Sequence, residues 1–188
     1  EYVRFGFDES RVGAFNGNPM NPRMLIWHWT GDHYETPDDI IRVLNNAGNS
    51  VHAYIHHDAS PHRFAGLGTV LGHALGLNMF AMGLEVYSGV YDRVRSPVFG
   101  FDAARTKMGL YASVNMLHAM GQQVTPTTLL SHFAGDLIFN NPYYDPYTGS
   151  FREIPGSKPP HIRKFDQPQE FMQMILPKAM ALDAALHG

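Results

Sequence analysis

The sequence predicts one α/β domain, a sheet covered on both faces with helices around it, and three observations carry that prediction. The run Met24-Leu25-Ile26-Trp27-His28-Trp29-Thr30 has strand length, lies between Pro22 and Gly31, and is mainly apolar on both of its alternating sides. Met24, Ile26, His28 and Thr30 share one side; Leu25, Trp27 and Trp29 share the other. A strand apolar on both sides belongs in the interior of a sheet. Further strand-like runs alternate with segments of helical periodicity, and no internal repeat or linker divides the chain. At 188 residues the chain fits one domain, 1–188, large enough to bury a substantial core.

Composition narrows the function classes. Apolar residues make up 44% and charged residues 16%, which marks a globular chain. A net charge of −3 offers no footprint for nucleic acid. No 18-residue apolar run exists to span a membrane. The first residue is Glu1, which suggests a processed product or a domain cut from a larger protein. Cysteine is absent, so thiol nucleophiles, disulfides and thiolate metal sites are excluded together. A zinc site here must use histidine and carboxylate, and 11 histidines permit one.

Residues 1–23 read as an irregular arm, with Gly13, Gly17, Pro19 and Pro22 and little periodicity. Thr36-Pro37-Asp38-Asp39 is a helix start: a capping hydroxyl, proline in the first turn, and acids on the positive end of the dipole. Ile40, Ile41, Val43 and Leu44 form that helix's expected buried face, and Gly48 marks its end. Residues 51–57 read as a second strand, with His52, Tyr54 and His56 on one face. Asp58-Ala59-Ser60-Pro61 is a turn, and glycine-rich irregular chain follows through Gly76.

Residues 82–87 form a third strand in which Gly83, Glu85 and Tyr87 share a face. Glu85 in this apolar run would be solvent-facing only on an edge strand. Residues 101–120 make the longest helix, with Met108, Tyr111, Ala112, Asn115, Met116 and Ala119 at helical spacing and Gly121 as its stop. Residues 140–160, rich in Pro, Gly, Tyr and Asn, are too long for a plain connector. Residues 168–186 form a closing helix kinked or interrupted at Pro177.

One metal motif can be rejected. Gly72-His73-Ala74-Leu75-Gly76-Leu77 looks like the end of a metzincin helix, but that chemistry needs a histidine four residues earlier and a glutamate after it. Thr69 and Val70 occupy those positions.

Four pieces then stand in a telling order: 25–30 with His28; 51–55 with His52 and, after it, Asp58; His73 with Asn78 and Met82-Gly83-Leu84-Glu85; and Ser131-His132 with Lys164-Phe165-Asp166. Together they resemble the type 2 N-acetylmuramoyl-L-alanine amidases, the family of bacteriophage endolysins and peptidoglycan recognition proteins, over about Met24 to Phe171. The resemblance implies a central mixed β-sheet flanked by helices, and a Zn2+ ion held by His28, His132 and Asp166. Two imidazoles and a carboxylate leave a fourth position open, as hydrolytic zinc requires. It further implies Glu85 as general base and Lys164 as the residue that stabilises the oxyanion. His73 and Asn78 match positions lining the substrate groove, while His52 is either structural or a support for a ligand imidazole.

Two departures stand out. Gln167 precedes Pro168 where the family runs directly from aspartate to Pro-Gly, and His132 lies far from Asp166. Residues 140–160 would then be an inserted loop beside the site, with Tyr143, Tyr144, Tyr147 and Phe151 available to stack on sugars. The expected function is zinc-dependent cleavage of the bond between N-acetylmuramic acid and L-alanine, by the catalytic module of a phage endolysin. Such a protein is made in the host cytoplasm, acts on the bacterial cell wall as a monomer, and has peptidoglycan as its partner. The competing readings are a non-catalytic peptidoglycan-binding module and a zinc peptidase acting on the stem peptide.

Overall fold

The computed structural model of the protein describes residues 22–30, 34–66, 68–74, 77–87, 103–132, 144–145, 150–151 and 174–188. Its organising element is a five-stranded mixed sheet of order β3-β2-β4-β1-β5. The strands are β1 (Met24–Trp29), β2 (Ala53–Ile55), β3 (Pro61–Arg63), β4 (Ala81–Val86) and β5 (Leu129–Ser131). Strands β2, β4, β1 and β5 run parallel, and β3 joins β2 antiparallel at one edge. Proline at the start of an edge strand removes no hydrogen bond that the sheet needs. Residues 144–145 and 150–151 pair as a separate hairpin, β6–β7. The rest of the 140–160 segment, and the arm at 1–21, lie outside the described residues.

Three helices complete the described chain: α1 (Pro37–Asn46), α2 (Ala103–Ala119) and α3 (Leu176–His187). The Thr36 cap forms as expected. Its hydroxyl accepts from Asp39 N–H at 3.3 Å while the Asp39 carboxylate accepts from Thr36 N–H at 3.0 Å. Val43, expected in the buried face of α1, is instead 44% exposed, and Ile40 and Ile41 carry the packing.

The two sides of the sheet follow the alternation of its strands. Leu25 and Trp27 of β1, Met82, Leu84 and Val86 of β4, and Ala53 and Ile55 of β2 pack with Leu110, Val114 and Leu117 of α2 and Leu176 and Ala179 of α3. The opposite face carries Met24, Ile26, Ala81, Leu130 and the loop residues Ala74 and Leu77. Beside them Tyr54 packs with Ile40, Ile41, Phe64 and Tyr87.

Helix α2 departs from the expected stripe: Ala119 is exposed, while Thr106, Gly109, Ser113 and Leu117 are buried. The reason is that α2 packs against both the sheet and α3, so burial follows two contacts rather than one amphipathic stripe. Gly121, at φ +72°, ends α2 as expected. Pro177 lies in the first turn of α3, where its missing N–H costs no helical hydrogen bond. The two residues before α3, 174–175, are π-helical, so regular α-helix starts only at Leu176, next to this proline; residues 168–173 lie outside the described residues.

Candidate metal centre and active site

The parallel register builds a row of functional side chains across the sheet. His28 on β1 lies opposite Glu85 on β4, and Glu85 lies opposite Tyr54 on β2. Paired residues of neighbouring strands point to the same face, so these three side chains share one. On the other side of β1, Ser131 of β5 pairs with Trp27, which puts His132, the next residue, alongside His28. His28, Glu85 and His132 are all buried. Glu85 sits on an interior strand, away from the exposed edge that its charge alone would favour. Sequence alternation had already grouped it with Gly83 and Tyr87.

The histidines form a directed chain. His73 Nε2 donates to the Ala81 carbonyl at 2.8 Å, so in the neutral ring Nδ1 is bare. His28 Nε2 lies 3.0 Å from that bare nitrogen and must carry the proton between them. The remaining nitrogen of His28, Nδ1, then presents a lone pair, and it lies 3.0 Å from His132 Nδ1. Burial, with the neighbouring His52 next, pushes the His73 pKa down to about 3, which keeps this ring neutral.

A metal ion fits that arrangement. Two nitrogens bound to one tetrahedral zinc at about 2.0–2.1 Å stand about 3.3 Å apart, close to the spacing of the two Nδ1 atoms. The two rings are steeply inclined to each other, at 74°. A ligand imidazole needs its other nitrogen anchored, and His73 supplies that anchor for His28.

His73 is itself held in place by its surroundings. The Asn78 side-chain oxygen accepts from the backbone N–H groups of His73 and Ala74, at 3.0 and 2.8 Å. Gly83 makes room for the ring, since a Cβ there would stand 2.9 Å from His73 Cγ. Glycine in a strand often marks such a close approach.

His52 takes the structural role of its two alternatives. It donates from Nε2 to the Thr69 carbonyl at 2.8 Å and accepts from Gly83 N–H at Nδ1, 3.0 Å away. Both nitrogens are thus engaged by backbone, and burial drives its pKa down to about 4.

Sequence reasoning passed over Tyr54. Burial, then the charge of Glu85, holds its phenol well above the usual range, so it stays protonated. His56 Nε2 donates to the Glu35 carbonyl at 3.1 Å, which leaves Nδ1 to accept from Tyr54 at 3.0 Å. The signal was present in the alternation of residues 51–57, which put Tyr54 on the histidine face. Lys164 and Asp166 lie outside the described residues.

No protein-family model matches the sequence, and no curated protein does. Solved structures do match. The Staphylococcus aureus hydrolase AmiA aligns at TM-score 0.56 and 13% identity, over 82% of this chain and 74% of that one. The catalytic domain of XlyA aligns at TM-score 0.54 and 18% identity, over 70% and 86%. The endolysin N-acetylmuramoyl-L-alanine amidase LysCS from Clostridium intestinale aligns at TM-score 0.52 and 22% identity, over 70% and 82%. The chain has the type 2 amidase fold. At these identities the likeness is one of fold, and it agrees with the mixed five-stranded sheet and flanking helices found here. Within the amidase fold of this chain, His28, Glu85 and His132 meet on one sheet face from three separate strands or strand ends.

Proposed function

We propose that this chain is a zinc-dependent N-acetylmuramoyl-L-alanine amidase. The observation that carries the reading is the pair of buried Nδ1 atoms of His28 and His132, 3.0 Å apart, in one row with a buried glutamate. Zinc would be held by His28 and His132, with Asp166 as the third ligand. When bound there it supplies Lewis acidity toward the scissile carbonyl and makes water a better acid.

The protein's own groups do the rest. Glu85, on a rigid interior strand, takes the proton of the attacking water and passes it to the amide nitrogen as the C–N bond breaks. Water's oxygen ends on the lactyl carboxylate of muramic acid and the proton on the freed L-alanine amine. Lys164 stabilises the negative oxygen that develops on the carbonyl. His73 positions His28, and Asn78 positions His73, beside the groove that receives the stem peptide.

The partner on this reading is bacterial peptidoglycan. The protein acts as a monomer, as the catalytic module of a phage endolysin made in the host cytoplasm and released to the wall. Among the described residues no helix is long and apolar enough to cross a membrane.

The test is digestion of purified peptidoglycan by the protein and by Glu85→Gln, with products identified by mass spectrometry and zinc content measured on both. Stem peptides with a free L-alanine amino terminus should appear, and Glu85→Gln should keep its zinc while losing roughly a hundredfold or more in rate. Cleavage inside the stem would make the protein a peptidase. Binding to the wall without cleavage by either protein would make it a recognition module.

A further inference from the structure

A second set of metal-binding atoms lies on the opposite side of the sheet, where the last turns of α2 and α3 meet. His118 stands in the last turn of α2 and His187 in that of α3. Their imidazoles stack, with ring centres 3.5 Å apart and planes 20° from parallel. Asp183 precedes His187 by four residues, so the two side chains lie on the same side of α3. Its Oδ1 accepts a hydrogen bond from His118 Nε2. One ligand atom from each of His118, Asp183 and His187 lies within 4.8 Å of the others.

The surroundings favour a cation. The Asp183 side chain is 10% exposed, and its Oδ2 is fixed by the Val124 N–H at 2.8 Å. That bond orients the carboxylate so that Oδ1 faces the imidazoles. The carbonyl ends of two helices converge here, each bringing partial negative charge to the same place.

We propose that His118, Asp183 and His187 bind a divalent transition-metal ion, of the class that prefers imidazole with carboxylate, such as zinc or nickel. This site is separate from the His28 centre, and its role is to clasp α3 to α2. The exposed His187 can swing out of the stack to complete the ligand set, leaving the remaining coordination positions to water. The proposal holds whatever the fate of the amidase reading, because none of its ligands belongs to the row on β1, β4 and β5.

The experiment is equilibrium dialysis against zinc, with metal counted per chain, for the protein, His28→Ala, His187→Ala and the double variant. Thermal melting of the same four proteins is followed with rising zinc. The unaltered protein should take up two equivalents, each single variant one, and the double variant none. In the His28→Ala background, zinc should raise the melting temperature by several degrees, and adding His187→Ala should abolish that rise. His118→Gln should lower zinc affinity at this site at least tenfold, which guards against an effect peculiar to the chain end.

Equal uptake by His28→Ala and the double variant would overturn the proposal. So would a melting temperature of His28→Ala that does not respond to zinc. Failure of the amidase reading gives a different pattern: one equivalent in the unaltered protein, lost on His187→Ala and indifferent to His28→Ala.

Discussion

Gly83 is the position where β4 gives up a side chain so that His73 can reach His28. A methyl there would meet His73 Nδ1 at 3.0 Å and Val51 Cγ1 at 3.1 Å as well as His73 Cγ. Gly83→Ala should therefore cost about 1–3 kcal/mol in urea unfolding. If the proposed zinc centre is correct, it should also weaken zinc binding by roughly 10–100-fold, since it moves the ring that would orient His28. His52 makes a second prediction, in pH. Its pKa falls from 6.5 to about 4 on folding, so between those values the unfolded chain binds the extra proton. Stability from this group is complete above about pH 6.5, drains away as pH falls, and levels off below about pH 4, a loss of about 3 kcal/mol. Unfolding at pH 7, 5 and 4 should show that slope, and His52→Gln should flatten it. A histidine buried in neutral form can be guessed from an apolar strand; its carbonyl partner Thr69, 17 residues further along the chain, cannot.

At the scale of elements, local rules worked where the chain's own neighbours decide the outcome. The Thr36 cap depends on residues 36–39 alone, and it formed as read. Thr36→Ala should cost about 1 kcal/mol in thermal unfolding, with no effect on zinc binding. The buried face of α2 could not be read this way. Gly109 lies against Trp27 so closely that a Cβ would stand 2.4 Å from the indole ring. That approach belongs to the packing of helix on strand, and nothing near Gly109 in the chain announces it. Gly109→Ala should push α2 off β1 and lower stability by more than the helix propensity of alanine returns, a net loss of roughly 1–3 kcal/mol by urea titration. Strands β3 and β5 were missed for the same reason: each is three residues long and exists through its partner.

For the whole molecule, topology is what assembles the candidate site. His28 and His132 stand 104 residues apart in the chain, yet β1 and β5 are adjacent parallel strands, and their nitrogens meet. On the proposed reading a metal ion between them would tie two strands together, so a chelator should lower the melting temperature, and zinc should restore it in a concentration-dependent way. A variant lacking both His28 and His132 should lose that part of the response.

The α/β class, the two-sided alternation of β1 and β4, the exclusion of thiol chemistry and the histidine–carboxylate character of any zinc site were all determined by sequence alone. These depend on side-chain period and composition, which each segment carries wherever it is placed. The register that sets His28 beside Glu85, the tautomer chain from Ala81 through His73 to His28, and the meeting of His118 with Asp183 and His187 were decided only by tertiary structure. Hydrogen-bond partners across a parallel sheet, or between helix ends, are fixed by which strands and helices become neighbours, and that is a property of the packed chain.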